Sequence, residues 1–239
     1  ALKFQKQSYA ASELKHQQGR ISKNALLDAA DKLAAAEEAA EAGIDALIVA
    51  DLGGAAALHR TYPELELHAS TQMSAHNAEA GRLLQSLGFS RMVVARETSY
   101  ENLLQLVRSS PIEVEYFIHG ALCVSHSGQC LFSSLVGGRS GNRGLCAQPC
   151  RLPYKNMGKN DYPLSLKDLC LAGYIKELCD MGVASFKIEG RMKSPEYVRD
   201  VARIWRRLID EGRDDNADEM DELAHIFSRG GFTDGYYRK

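Results

Sequence analysis

No apolar run in this 239-residue chain approaches the roughly 18 residues that cross a bilayer. The first twenty residues (ALKFQKQSYAASELKHQQGR) lack the hydrophobic stretch of a secretion signal. An excess of one charge is also missing. Lysine and arginine total 29 against 31 acidic residues, so net charge is −2 and nothing draws the whole chain to nucleic acid or to an anionic membrane. Any such binding has to come from a local patch. These absences lead us to expect a cytoplasmic protein without membrane attachment. A reducing compartment favours metal or redox roles over disulfides for clustered cysteines. The remaining composition, 45% hydrophobic and 25% charged, is that of a globular chain, long enough for one α/β barrel.

What the chain does have is a concentration of cysteine. Four of its six cysteines lie between positions 123 and 150, as Cys123, Cys130, Cys146 and Cys150. Glycine and arginine fill the interval, at Gly137, Gly138, Arg139, Gly141, Arg143 and Gly144. Spacings of seven, sixteen and four suit a closed tetrahedral zinc site or a four-cysteine iron–sulfur cluster, and spacing does not choose between them. Glycines let backbone approach such a centre closely, so that N–H groups can donate to sulfur. Arg139, Arg143 and Arg151 would offset thiolate charge or hold a phosphate or carboxylate. Cys170 and Cys179 fall in a segment that reads as helix and are expected to be core or incidental thiols.

Around this segment, helical and strand-like stretches alternate. Strands are expected at 44–50, 65–70, 91–95, 113–119, 162–166 and 184–188. Helices are expected at 23–42, 74–87, 99–108, 167–181 and 195–210, with a short one after Asp51-Leu52-Gly53-Gly54. Several end at glycine, and the last opens on Pro195. This alternation argues for βαβ units and a parallel sheet of the TIM-like (β/α) type, although six strands fall short of the eight that close a barrel. Polar residues gather at the expected strand ends: Asp51, His68, Ser70, Thr71, Gln72, Arg96, Glu97, His119, Lys167, Asp168, Lys187, Glu189 and Arg191. That rim binds ligands in parallel α/β folds, and its residues also serve as helix caps and ion pairs. In 195–210 the apolar residues Val198, Val201, Ala202, Trp205, Leu208 and Ile209 oppose Arg199, Arg203, Arg206 and Arg207. An outer barrel helix needs such a stripe, and the arginines suit solvent or an RNA backbone.

Longer motifs carry a resemblance. EYFIHGALCVSHSGQCLFSS (115–134) resembles the signature of the collagenase-like peptidase family U32. Agreement extends to DLG (51–53), HASTQMSAHNAEA (68–80), ARE (95–97), GRSGNRGLCAQPCRLPY (138–154), SLKDL (165–169), KIEGRMKSPEYV (187–198) and FSRGGFTDGYY (227–237). It runs from about residue 30 to the end, so 23–239 reads as one barrel-type domain with a cysteine-rich insertion at 120–154, and 1–22 as a divergent segment. The strand–helix units with which family members begin have no counterpart in 1–22, which explains six strands where eight are needed. A homodimer that covers the open barrel edges is a further expectation.

The resemblance implies hydroxylation of a tRNA or rRNA nucleoside. The four cysteines would then hold a 4Fe–4S cluster, with zinc as the alternative, and prephenate would be a possible co-substrate. On that reading Glu97, His119, Lys187 and Glu189 are catalytic candidates. Arg96, Arg139, Arg143 and Arg191 are candidates for binding RNA or a small carboxylate. The family's name implies a peptidase instead, yet the chain has no HExxH helix, no G-x-S-x-G elbow and no papain-like cysteine. A third reading is a zinc- or cluster-stabilised scaffold without catalysis.

Overall fold

The computed structural model describes residues 35, 38, 39, 42–156, 159–190 and 193–238. The segment 1–22, most of the helix expected over 23–42, and Arg191 lie outside the described residues. In chain order the elements are β1 (Ala46–Val49), α1 (Leu52–Thr61), β2 (Glu66–Ala69), α2 (Ala78–Ser86), β3 (Phe89–Val93), α3 (Tyr100–Ser109) and β4 (Glu113–Ala121). They continue with α4 (Phe132–Gly137), β5 (Tyr154–Asn156), β6 (Lys159–Asp161), β7 (Asp168–Cys170), α5 (Ile175–Met181), β8 (Ser185–Glu189), α6 (Pro195–Glu211), α7 (Ala217–Ile226) and β9 (Phe232–Thr233). No helix among the described residues is long and apolar enough to cross a membrane.

Strands β1, β2, β3, β4 and β8 form a parallel arc, each hydrogen-bonded to the next. Within the described residues β1 and β8 do not meet, so the sheet is an open mixed α/β arrangement and not a closed barrel. β4 organises it. Its nine residues are buried almost throughout, as a strand covered on both faces must be. On one side β4 pairs with β8. On the other, its beginning pairs with β3 and its end with β7, which runs antiparallel and carries β9. Gly120 makes the β4–β8 approach possible: at φ +103° a Cβ would lie 2.2 Å from the Glu189 carbonyl oxygen.

Two expectations are corrected here. Residues 162–166 are not a strand, because Pro163 cannot donate to a ladder and a turn closes from the Ser165 amide to the Tyr162 carbonyl. The strand instead falls at Asp168–Cys170, inside the stretch expected to be helical, and helix begins only at Ile175. Cys170 is thus a buried strand residue, its thiol pushed up to about 12 by burial.

α6 explains itself from its sequence. Ser194 accepts the Tyr197 amide, Pro195 opens the first turn and Gly212 closes the last in the left-handed conformation. Tyr197, Val201, Ile204, Trp205 and Leu208 are buried, contributing on the order of 10 kcal/mol before ordering costs. Val198 and Ala202, expected on that stripe, face solvent instead. The arginines opposite are paired, Arg199 with Asp200, Arg203 with Glu222, Arg206 with Asp210 and Arg207 with Glu219, which leaves them poorly suited to grip phosphate.

Candidate functional site

The loops that follow the parallel strands carry the cysteine segment. Asp51 caps α1 by accepting the Gly54 amide, Ser70 caps the short turn Thr71–Met73, and Asn77 caps α2. Asp51 and Ser70 are therefore rim residues with structural duties. His68 is buried in β2 with Nε2 3.3 Å from Glu66 Oε2, a rim residue with a partner inside its own strand.

The loop between Cys123 and Cys130 lies across these strand ends and is fastened there by its middle. The Ser127 amide donates to Glu97 at 3.0 Å and the Ser127 hydroxyl at 2.9 Å. The Arg96 amide donates back to Ser127 Oγ, and Ser74 Oγ donates to the Ser127 carbonyl. Gly128 sits directly on the Thr71–Met73 turn: at φ +74° a Cβ there would lie 2.0 Å from the Gln72 carbonyl oxygen. The second cysteine pair is tied to the first loop, because Asn142 donates to the Gly128 carbonyl and Gln72 to the Gly141 carbonyl. Arg151 completes the fastening through Leu122 O at the end of β4, and through Leu166 O and Ser165 Oγ ahead of β7.

Replacing Gly128 with alanine is therefore expected to destabilise the chain by about 2 kcal/mol, from left-handed strain and the clash with backbone. Gly137→Ala, in open space within α4, is expected to change stability little. Urea unfolding of the two variants checks this. Equal midpoints would show that the loop is not seated on that turn.

All four clustered cysteines are free and half-buried. Burial pushes the Cys150 thiol up, the Arg151 guanidinium pulls it down, and Cys123, Cys146 and Cys130 push it up further, so the four sulfurs share one electrostatic neighbourhood. Gln148, itself in the left-handed conformation, donates its amide to Cys146 Sγ at 3.3 Å. In its chemistry, four thiols, this donor set suits a soft metal or a cluster. As they stand, no three His, Cys, Asp or Glu side chains among the described residues are gathered closely enough to hold a metal ion.

Beside the loop lies an open cavity of about 520 Å³, lined by Ser74, His76, Glu97, Asn102, Gln105 and His126 among others. Burial raises the Glu97 carboxyl, but the Ser127 amide and hydroxyl outweigh it and hold the group below its ordinary value. Glu97 is thus an ionised acceptor at the cavity wall, with His126 Nδ1 3.4 Å away. Ser127 is buried and its hydroxyl donates to the carboxylate and not to a histidine, so the Ser–Glu–His trio lacks the base-on-nucleophile order of a hydrolase.

The other expected site residues are dispersed. Lys187 points to Glu115 at 2.7 Å, in a network with Arg91 and Ser185, and shares the Phe117 ring with Arg96. Glu189 is half-buried in β8, opposite Gly120. Arg96 keeps a buried Nε without a hydrogen-bond partner. Arg139 is exposed and donates to the Leu145 carbonyl. The backbone of Arg143 lies in the turn Gly141–Arg143, and its side chain is outside the described residues. His119 does not reach the Glu97 cavity. A register shift after Phe117 places it against Tyr197 and Trp205 of α6. Sequence reasoning passed over Ser127, which locks the loop, and also Lys193, Tyr197 and Arg229. The conspicuous GFTDGYY ending drew notice to its motif without showing which residue faced inward.

An open parallel α/β sheet with four cysteines fastened over its strand ends is the arrangement found here, and residues 14–239 match the profile of peptidase family U32. The chain belongs to that family. It is 41% identical over 177 residues to the 23S rRNA 5-hydroxycytidine C2501 synthase of Escherichia coli (strain K12), covering 71% of this chain and 27% of that protein. It is 39% identical over 183 residues to tRNA hydroxylation protein P1 of Bacillus subtilis (strain 168), covering 71% and 43%. To the collagenase of Porphyromonas gingivalis (strain ATCC BAA-308 / W83) it is 36% identical over 226 residues, covering 84% and 54%. The chain thus spans between about a quarter and about half of the length of these relatives.

Proposed function

We propose that this chain takes part in hydroxylating a tRNA or rRNA nucleoside, with Cys123, Cys130, Cys146 and Cys150 holding a 4Fe–4S cluster. The observation that carries the reading is the joint seating of the four thiols over the strand ends, where Cys150 feels the other three. The names of two relatives, one an rRNA hydroxycytidine synthase and one a tRNA hydroxylation protein, support the substrate class. A bound cluster would supply one-electron or Lewis-acid chemistry. The chain's own residues would hold and orient. Gln148 N–H donates to the Cys146 sulfur, Glu97 accepts hydrogen bonds at the cavity wall, and the Arg96 guanidinium lies over the Phe117 ring. The arc β1-β2-β3-β4-β8 we read as a section of a (β/α) barrel whose two edges are covered by further strands or by a second copy.

The collagenase-like reading draws on the third relative's name, but Ser127 is committed to Glu97 and is not free to serve as its nucleophile. Nucleoside mass spectrometry of tRNA and rRNA from a strain lacking the gene tests the proposal. Loss of one hydroxylated nucleoside, restored by the wild-type gene, is expected. An unchanged nucleoside profile, with gelatin cleavage by the purified protein, would reverse the choice.

A further inference from the structure

Residues 227–238 follow α7 and run beside β7, and this stretch is held very unequally along its length. At its start Gly230 and Gly231 stand at φ +68° and +91°. A Cβ at either would meet nothing within 4 Å among the described residues, so conformation, and not packing, asks for glycine there. In its middle β9 joins the sheet by two residues, Phe232 opposite Asp168 and Thr233 opposite Leu169. At its far end Tyr237 is fully buried among the rings of Tyr100, Tyr116 and Tyr174, with centroids 5.6, 6.2 and 5.2 Å away. Its hydroxyl donates to Glu177 Oε2 at 2.9 Å, and its carbonyl accepts the Tyr100 amide, also at 2.9 Å. Arg238 pairs with the same Glu177 oxygen at 2.6 Å. Its guanidinium lies 4.9, 4.8 and 5.2 Å from the rings of Tyr100, Tyr174 and Tyr237.

Under the middle of this stretch, polar side chains are shut away from water. Phe232 lies 5.5 Å from the His119 ring, and Arg229 is 3.7 Å from Asp168, an ion pair too long for a hydrogen bond. His119 and Asp168 are each 1% exposed. Both ring nitrogens of the one and both carboxylate oxygens of the other lack a hydrogen-bond partner among the described residues. The Tyr197 hydroxyl and Trp205 Nε1 of α6 are in the same condition, their rings 6.3 and 5.8 Å from His119. Cys170 shares this face, because it stands directly opposite His119 and two residues from Asp168. Burial, and then Asp168, Glu189 and Cys170, push the Tyr197 hydroxyl up to about 12, which puts the Cys170 thiol in the same neighbourhood.

A cover closed over apolar side chains is held down by the surface it buries. Here the middle of the cover closes over polar atoms that water would satisfy, so their burial works against closure. Two ladder residues offer little resistance, being far fewer than an ordinary strand supplies. Closure therefore depends on the far end, where a buried tyrosine, two charge-assisted contacts to Glu177 and a guanidinium over three rings act together. We infer that residues 232–238 form a strap that swings on Gly230 and Gly231 and is latched by Tyr237 and Arg238 on Glu177. Its lifting admits solvent and small solutes to the face of His119, Asp168 and Cys170 while the rest of the fold stays intact. Nothing in this requires the clustered thiols to hold a cluster or RNA to be the substrate.

The Cys170 thiol reports the opening. It is buried when the strap is closed, and alkylation with N-ethylmaleimide followed by peptide mass spectrometry resolves it from the other five cysteines. In the full chain its rate is expected to be flat at low urea, because a lifting strap exposes little surface, and to rise steeply only as global unfolding sets in. Arg238→Ala should raise the low-urea rate about tenfold or more. Tyr237→Phe, which keeps the ring and loses only the bond to Glu177, should raise it about fivefold. Arg238 is exposed, so its replacement leaves the fold in place. Lys176→Ala, which removes a surface pair with Asp180 from the same helix as Glu177, should leave the rate unchanged. Three results would each overturn the strap: a Cys170 rate that climbs with the slope of global unfolding from zero urea upward, no acceleration in either latch variant, or equal acceleration in Lys176→Ala.

Discussion

Anaerobically purified protein carrying Cys146→Ser is expected to retain roughly a tenth or less of the iron of the wild type, which should hold roughly four irons per chain. The reason is geometric as well as chemical. The four thiols sit on two loops joined by Asn142 to Gly128 O, and the second loop is also tied by Gln72 to the Thr71–Met73 turn, on which the first loop sits through Gly128. Cys146 also receives the Gln148 amide, so serine removes both the soft donor and its supporting contact. Cys170→Ser is the matched control, because Cys170 is buried in β7, apart from the cluster segment. Visible absorbance together with iron and acid-labile sulfide analysis reads the outcome. Colourless wild-type protein with one zinc per chain would falsify the iron–sulfur assignment while keeping the four ligands. Full iron retention in Cys146→Ser would remove that residue from the set.

The second large effect is a loss of stability on mild acidification that traces to one side chain. Burial, and then the Lys193 ammonium, push the His119 imidazole down to about 4, so it is neutral in the folded chain at ordinary pH. An unfolded histidine titrates near 6.5. Between these values the unfolded chain takes up a proton that the folded chain refuses, so stability falls as pH drops from about 6.5 to about 4. Above 6.5 the term costs nothing, and below 4 it stays constant. Its full size is about 3 kcal/mol. His119→Gln removes the titration, so the stability gap between wild type and variant should close by about that amount across the window. Urea unfolding at several pH values measures it. A gap that does not vary with pH would place His119 in a solvated setting, at odds with its packing against Tyr197, Trp205 and Phe232.

Both predictions concern residues that the chain's motifs single out, yet the two differ in how they could be known. The cysteines stand out because thiols at short spacing have few other uses in a reducing compartment, and their neighbourhood is set by a loop short enough to read along the chain. His119 was expected, like Glu97, as a catalytic candidate at the rim. A register shift of one strand carried it to the opposite company, and pairing register is a non-local property. The same limit hid β7. Residues 167–181 have helical composition, but Asp168–Cys170 is claimed by the exposed edge of β4 beyond the end of β3. Lys187 shows the reverse case. Its position after an apolar run marked it as functional, whereas its ammonium is spent on buried Glu115.

By itself the sequence determined the family, the parallel βαβ rhythm around β1 to β4 and β8, and the four-cysteine segment. Periodicity, caps and thiol spacing are local and survive without a fold. Only the tertiary structure decided that the parallel sheet stays open among the described residues, that Ser127 pins the cysteine loop to Glu97, and that His119, Asp168, Tyr197 and Arg229 meet in one buried group. Those residues stand up to 110 positions apart in the chain, between 119 and 229. They are brought together by strand pairing and helix packing, whose partners no local pattern names.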